Sequence, residues 1–143
     1  LDGLNLGFNA AYIDARLEDD APAVGGLKGE VLPNSARLSA SASADYEFAG
    51  LGASRAFVGA ALRHMGERKE NFVRGRGRER LSLPAFNTLD LRAGLRWDTC
   101  DLNFYVKNAT DTRFVETLTT NFFPAAAAIG RPRTVGGFVS MRY

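Results

Sequence analysis

The chain has 143 residues and a formal net charge of +2, with 45% hydrophobic, 10% aromatic and 24% charged residues. This length and composition predict one folded domain. No run of ~18 apolar residues occurs, which excludes a transmembrane helix, although a transmembrane strand needs only ~10 alternating residues. The single cysteine, Cys100, excludes an internal disulfide and a structural zinc site, and the small net charge gives no argument for nucleic acid.

Alternation of apolar and polar residues predicts six strands and no helix along the chain. The first strand is Leu4–Tyr12. In the second, 35–48, every even position is alanine, leucine or an aromatic, and every odd position is serine, arginine or an acid. The remaining strands are predicted at 55–63, 88–98, 101–107 and 133–143. The sequence therefore predicts an all-β chain in which each strand has one apolar face.

The connections between these strands are of two kinds. Residues 49–54 and 99–100 are short enough for hairpin turns, whereas three connections, roughly 14–34, 64–87 and 108–132, are long and rich in glycine, proline and charge. Antiparallel strands reverse direction, so the short turns gather at one end and the long loops, expected to have no structure of their own, at the other. That asymmetry is typical of an outer-membrane barrel.

The apolar faces could contact either lipid or a protein core. Their high alanine content and the long loops favour lipid, and aromatic residues at the strand ends predict two interfacial belts. The belt residues are Tyr46, Phe48, Trp97 and Tyr143 at the short-turn end, with Tyr12 and Phe86 at the long-loop end. A soluble β-sandwich or small ligand-binding barrel with one wet face has the same period and stays an alternative.

The opposite faces carry charges of both signs. These residues are Arg37, Asp45, Glu47, Asp90, Arg92, Arg96 and Asp98. We expect ion pairs between neighbouring strands on this face, each contributing roughly 0.2 to 1 kcal/mol.

Four short motifs follow one another at strand-sized spacing: Tyr12-Ile13-Asp14-Ala15, Leu32-Pro33-Asn34, Val106-Lys107-Asn108-Ala109-Thr110-Asp111, and Gly130-Arg131-Pro132-Arg133. In this order they resemble the C-terminal part of the β-barrel of a TonB-dependent outer-membrane receptor, across essentially the whole chain, 1–143. The resemblance implies an antiparallel meander of about six strands, the last strands of a 22-stranded transmembrane barrel. The plug domain and the earlier strands are then absent, and a chain that opens at Leu1 without methionine is expected to be a piece of a longer protein or a processed product.

The function implied by the resemblance is active transport across the bacterial outer membrane, with no enzymatic activity and no cofactor. The substrate would be a scarce nutrient such as a ferric siderophore, and energy would come through TonB. Implied partners are outer-membrane lipid, the protein's own plug and remaining strands, the TonB complex, the barrel assembly machinery and the small-molecule ligand. The terminal strand would carry an assembly signal at Val139, Met141 and Tyr143. A structural or adhesive outer-membrane barrel protein stays an alternative.

The loop at 67–80 is the most basic part of the chain. Its basic residues are Arg68, Lys69, Arg74, Arg76, Arg78 and Arg80, interrupted by three acids. As an extracellular loop it is interpreted either as a solvated surface or as a segment that attracts an anionic ligand. The acids and the single aromatic disfavour a nucleic-acid contact.

No motif predicts a metal or catalytic site. Glu18-Asp19-Asp20 lacks the alternating oxygen ligands and turn glycine of a calcium loop, so we expect solvated charge there. His64, the only histidine, has no second ligand at metal-binding spacing and is predicted to be a rim residue. Gly50-Leu51-Gly52 precedes no helical pattern, and no Gly-x-Ser-x-Gly motif occurs.

Overall fold

The computed structural model describes residues 2–72, 80–119 and 126–142, which contain ten strands. In chain order these are β1 (Leu4–Tyr12), β2 (Leu38–Ala49), β3 (Arg55–Met65), β4 (Arg68–Lys69), β5 (Ser82–Leu83), β6 (Phe86–Arg96), β7 (Cys100–Lys107), β8 (Val115–Thr119), β9 (Ala126–Ile129) and β10 (Thr134–Met141). The six long strands form one antiparallel sheet in the order β1-β2-β3-β6-β7-β10. The predicted all-β meander of six strands is confirmed.

The register of the sheet aligns the apolar positions of all six strands on one face. Ala42 of β2 lies opposite Phe8 of β1 and Leu62 of β3, and Leu62 in turn lies opposite Leu89 of β6. Successive side chains of a strand point to opposite faces, so one matched position fixes the facing of the whole strand. We call the apolar side the outer face and the opposite side the inner face.

The predicted asymmetry of the connections is confirmed. The β2–β3 turn closes through Gly52, whose positive φ of 63° favours glycine, and the β6–β7 turn lies at the same end of the sheet. Met141 of β10 is opposite Cys100, so β10 also ends at the short-turn end. The three long connections all lie at the other end.

The prediction that the long loops have no structure of their own is wrong. The middle loop contains the β4–β5 hairpin and the last loop contains the β8–β9 hairpin. The first loop has an isolated bridge between Arg16 and Val31 and a single helical turn, Pro22–Val24. These pairings satisfy backbone groups with strands of two to five residues, too short for the alternation of residues to be recognisable. Within the described ranges, no helix has the length and apolar character needed to cross a membrane.

The buried apolar side chains lie mainly beneath the long loops and not against the sheet. Among the described residues, the buried hydrophobic ones are Ala56, Phe72, Leu83 and Phe86, and the last three belong to the middle long loop or its junction with β6. Leu83 is the most enclosed, at 2% exposure. The sheet therefore leaves its outer face uncovered by any other described part of the chain.

Candidate functional site

The outer face is a continuous exposed apolar surface across six strands. Phe8 and Val135, on the two edge strands, are 74% and 73% exposed, and Leu62 and Phe104 on central strands are 49% and 55% exposed. Soluble monomers rarely expose apolar patches with an area of more than a few hundred Å². A surface of this extent, with no Asp, Glu, Lys or Arg at the outward positions of the six long strands, has the chemistry of a wall in contact with acyl chains.

Aromatic residues lie near both ends of this wall, with one correction to the prediction. At the short-turn end Tyr46 stacks on Phe48 with ring centroids 5.5 Å apart, and Tyr12 is exposed at the long-loop end. Phe86 is not a belt residue: it lies opposite Met65 on the inner face, is 6% exposed and stacks on Phe114 at 3.9 Å. Odd-numbered residues of β6, such as Leu89, lie on the outer face, so the even number of Phe86 already predicted that it faces inward. Tyr143 lies outside the described residues.

The inner face carries a bidentate ion pair that spans three strands. Arg92 of β6 donates from Nε to Asp45 Oδ1 at 2.8 Å, and its Nη2 lies 2.6 Å from Asp45 Oδ2 on β2. Gly59 of β3 lies between them, and a side chain there would collide with both partners. The expected pairing between neighbouring strands is therefore wrong for Asp45 and Arg92: glycine on the middle strand lets arginine reach the second strand along.

The remaining inner-face acids in the described strands are also paired. Glu47 contacts Arg96 at 3.3 Å, and Asp101 contacts Arg142 at 2.8 Å. Asp90 uses both oxygens: Oδ2 pairs with Lys107 at 3.0 Å and Oδ1 accepts the Asn108 amide at 2.9 Å. A groove of about 450 Å³ runs along this concave face. Exposed pairs of this kind contribute little stability, so their main effect is a polar wall that carries charges of both signs.

Arg80 joins the middle long loop to the first one. Its guanidinium donates to three backbone carbonyls: Nε to Asn71 and Nη2 to Glu70 in its own loop, and Nη1 to Val31 in the first loop, at 2.9 to 3.0 Å. The guanidinium also lies over the ring of Phe72, 4.7 Å from the centroid. A planar group with five donors suits this combination of carbonyls and aromatic face.

Arg68 joins the middle loop to the last one in the same way. Its Nη1 donates to the carbonyl of Glu116 at 2.9 Å and its Nη2 to that of Val115 at 3.2 Å, both in β8. The Phe86–Phe114 stack lies across the same junction. With Arg80, these contacts bind three loops that are distant in sequence into one assembly, which we call the loop layer.

Of the six basic residues predicted to attract a ligand, three are described and all three hold the loop layer together. Besides Arg68 and Arg80, Lys69 pairs with Glu67 at 2.9 Å, and its carbonyl accepts the Asn34 amide from the first loop at 2.8 Å. The hydrogen bond from Lys69, with another from Ser82, lowers the pKa of Glu67. Arg74, Arg76 and Arg78 lie outside the described residues, so ligand attraction by this loop stays a prediction.

The first two sequence motifs close the base of the first long loop. Asp14 Oδ1 accepts hydrogen bonds from Arg16 at 2.9 Å and Arg37 at 3.1 Å, and the Leu32 amide donates to the Ala15 carbonyl. Desolvation alone would raise the pKa of Asp14, but the two guanidinium groups outweigh it and lower the pKa. Asn34 has a left-handed backbone, with φ 56°, at the point where the chain turns towards β2.

The last two motifs close the base of the third long loop around a buried asparagine. Asn108 Nδ2 donates to the carbonyls of Thr112 and Arg131, at 3.0 and 2.9 Å, and its Oδ1 accepts the Thr112 amide. Asp111 Oδ1 accepts the Arg133 amide at 2.9 Å, and this bond lowers the pKa of Asp111. The motif after β7 is thereby fastened to the motif before β10, which sets where β10 begins.

The terminal strand places two of its predicted signal residues on the outer face. Val139 lies opposite Leu102 and Met141 opposite Cys100, and both are more than half exposed. Within the described part of the chain, the edge of β10 away from β7 has no strand partner. Tyr143 lies outside the described residues, and the role of this terminus in assembly stays a prediction.

The other two predicted residue groups have local structural partners. Asp20 Oδ1 accepts the Lys28 amide at 2.7 Å and Asp19 lies 3.7 Å from Lys28 Nζ, so this acidic stretch pairs with its own loop. His64 Nδ1 is hydrogen-bonded to Asn87 Oδ1 at 2.8 Å near the long-loop end of the sheet. The described residues contain no cluster of three or more potential metal ligands.

Comparison with known protein families agrees with this geometry. The family described as TonB dependent receptor-like, beta-barrel matches residues 1–109, about three quarters of the chain. No match was found among curated proteins. The matched region covers five of the six long strands and ends just after β7. The chain therefore belongs to the TonB-dependent receptor β-barrel family, whose members are transport receptors of the outer membrane and not enzymes.

Proposed function

We propose that the chain is the C-terminal segment of the barrel of a bacterial outer-membrane receptor that imports a scarce nutrient such as a ferric siderophore, with energy supplied through TonB. In this proposal the six-stranded sheet is completed by earlier strands into a 22-stranded barrel, and a plug domain fills the lumen. The inner face then lines the import path, and the loop layer lies on the cell surface.

The observation that carries the proposal is the division of one sheet into two chemically opposite faces. The outer face is apolar and exposed across all six strands, while the inner face carries ion pairs such as Asp45 with Arg92. A barrel wall with lipid outside and water or a plug inside needs this division. Six strands are too few to close with filled side chains, and open edges inside lipid are costly, so further strands are required.

A soluble β-sandwich fits the same sheet less well. It would need a second layer packed on the outer face, and the described residues provide none there. The loop layer packs at one end of the strands, where Phe114 covers Phe86 on the inner face, and it leaves the outer face uncovered. A structural or adhesive barrel would share the wall, so transport has to be tested by uptake.

The experiment is iron uptake in the source bacterium with the full-length gene deleted and then restored. Radiolabelled ferric chelates of several chemical classes are supplied to iron-limited cells, with and without a functional TonB. We expect deletion to abolish uptake of one class, restoration to recover it, and loss of TonB to have the same effect as deletion.

The outcomes separate the parts of the proposal. Unchanged uptake of every ferric chelate would refute the siderophore class, and growth on other scarce nutrients would then be compared. Uptake that is lost on deletion but persists without TonB would refute the energy source. Normal uptake of every nutrient, with loss of surface adhesion or envelope integrity instead, would favour the structural alternative.

A further inference from the structure

Arg63 differs from every other cation on the inner face of the described strands. Five cations there are held in ion pairs: Arg55 and Arg96 with Glu47, Arg92 with Asp45, Lys107 with Asp90, and Arg142 with Asp101. Arg63, on β3, is exposed and has no hydrogen bond or ion pair with any described residue. It is therefore the one inner-face cation of the described strands that has no ion-pair partner.

The groove beside Arg63 is lined by uncharged polar side chains together with Ala10, Ala11, Ala40, His64 and Met65. In register Arg63 lies opposite Ser41 on β2 and Thr88 on β6. With Ser41, Ser39 and Asn9 it lines this shallow groove of about 370 Å³. Hydroxyl and amide groups beside a guanidinium are hydrogen-bonding partners for an anion, and none of them carries a charge that would compete with it.

The nearest acid in register is already occupied. Asp90 lies opposite Ala61, two residues along β3 from Arg63, and both of its oxygens are used, one by Lys107 and the other by the Asn108 amide. Arg63 is also only two residues from the end of β3, at the long-loop end of the sheet. A solute that enters past the loop layer would meet this charge before the paired ones.

We propose that Arg63, with the Ser39 hydroxyl and the Asn9 amide, forms an anion-binding subsite on the outward part of the lumen wall. Its ligand is a carboxylate-like or phosphate-like anionic group of the imported molecule. This inference rests on the proposed transport function. An unpaired guanidinium on this wall attracts such a group more strongly than a paired cation does, because its field is not cancelled by a neighbour.

The experiment measures the local charge directly with two thiol reagents. In the full-length receptor on intact cells, Cys100 is replaced by alanine and a cysteine is introduced by Ser41→Cys. The rate of modification is compared for a sulfonate-bearing and a trimethylammonium-bearing methanethiosulfonate reagent, in the background of Arg63 and in Arg63→Gln and Arg63→Lys. Any change in thiol reactivity itself affects both reagents equally, so the ratio of the two rates reports the potential.

We expect Arg63→Gln to lower the ratio of anionic to cationic rates about fivefold, and Arg63→Lys to preserve it, because one unit charge within a Debye length acts on both reagents with opposite sign. Inorganic phosphate should slow the sulfonate reagent only when residue 63 is cationic. The control is Asn103→Cys, on the same inner face but level with Phe57, six residues and roughly 20 Å along β3 from Arg63. At that distance, beyond a Debye length, Arg63→Gln should change the ratio less than twofold.

Three results would overturn the proposal. An unchanged ratio at position 41 would mean that Arg63 creates no anion-attracting potential. Absence of labelling by either reagent would mean that the groove does not open to the outside. Charge selectivity that appears only after deletion of the plug would identify the anion as a plug carboxylate and not a group of the imported molecule. Since none of these measurements depends on uptake, they stand apart from the test of transport.

Discussion

Ala42 offers the sharpest test of which face of the sheet contacts lipid. It lies on the outer face of β2, between Phe8 of β1 and Leu62 of β3. The next residue along the strand, Ser43, faces inward and lies opposite Gly7, whose lack of a side chain leaves space beside Ser43. We expect Ala42→Arg to destabilise the full-length receptor strongly and Ser43→Arg to have little effect.

The size of the effect follows from the depth of Ala42 in the membrane. From Leu38 to Phe48 the strand advances ten residues, which is roughly 34 Å along the strand and roughly 26 Å in height at a tilt of about 40°. This matches the apolar band of ~25 Å, and Ala42 lies one residue from its midpoint. Arginine at that depth costs about 2 to 4 kcal/mol, or roughly a 30- to 700-fold change in the folding equilibrium.

The measurement is reversible unfolding of the full-length receptor in lipid vesicles, titrated with guanidinium and followed by tryptophan fluorescence. Ser43→Arg should cost less than about 1 kcal/mol, since the side chain extends into the wet lumen beside Asp45. Ala42→Gln is a second control, because it introduces polar bulk without charge. If the arginines at positions 42 and 43 cost the same, or if 43 costs more, the assignment of the two faces is wrong.

Three further predictions test the loops and the terminus. Arg80→Gln should free the middle loop from the first, so limited proteolysis on intact cells should cut near Asn71 several times faster than in Arg80→Lys, while heat stability of the barrel stays unchanged. Asp111 should protect the Arg133 amide from hydrogen exchange at neutral pH. Because folding lowers the pKa of Asp111, that protection should be lost only as pH falls below the ordinary aspartate value of roughly 3.9. In Asp111→Asn the protection factor of the Arg133 amide should not depend on pH. Deletion of Tyr143 should sharply lower the amount of receptor in the outer membrane while transport per assembled molecule is preserved, and normal assembly of the deletion mutant would refute the signal role.

The six long strands could be predicted because a sheet with one apolar face requires apolar residues at every second position of the sequence. In β2 the alternation is complete from residue 35 to residue 48, and the structure places the strand at Leu38–Ala49. The ends differ by a few residues because alternation continues into the turns: Arg37 keeps the inner-face parity but pairs with Asp14 at the loop base. Periodicity gives facing more reliably than it gives boundaries.

The loop layer could not be predicted, because its contacts join residues that are far apart in the chain and follow no period. Arg80 and Val31 are 49 residues apart, and Arg68 and Glu116 are 48 apart. In the sequence both arginines belong to one basic stretch and look like a charged surface. In the structure both arginines donate hydrogen bonds to loop carbonyls, because backbone groups enclosed by other loops must find hydrogen-bond partners.

The short motifs are informative for a different physical reason, which the structure makes visible. The three residues other than glycine with positive φ, among those described, are Asn34, Asn108 and Asp111, and all three fall inside the motifs. Asparagine and aspartate tolerate the left-handed backbone because their short side chains form hydrogen bonds locally, and here those bonds also fasten one end of a loop to the other. A barrel strand tolerates many apolar residues on its outer face, whereas a loop base needs one of a few residue types at a fixed position. The short motifs therefore mark the points where strands leave the wall, while the strands themselves carry the fold.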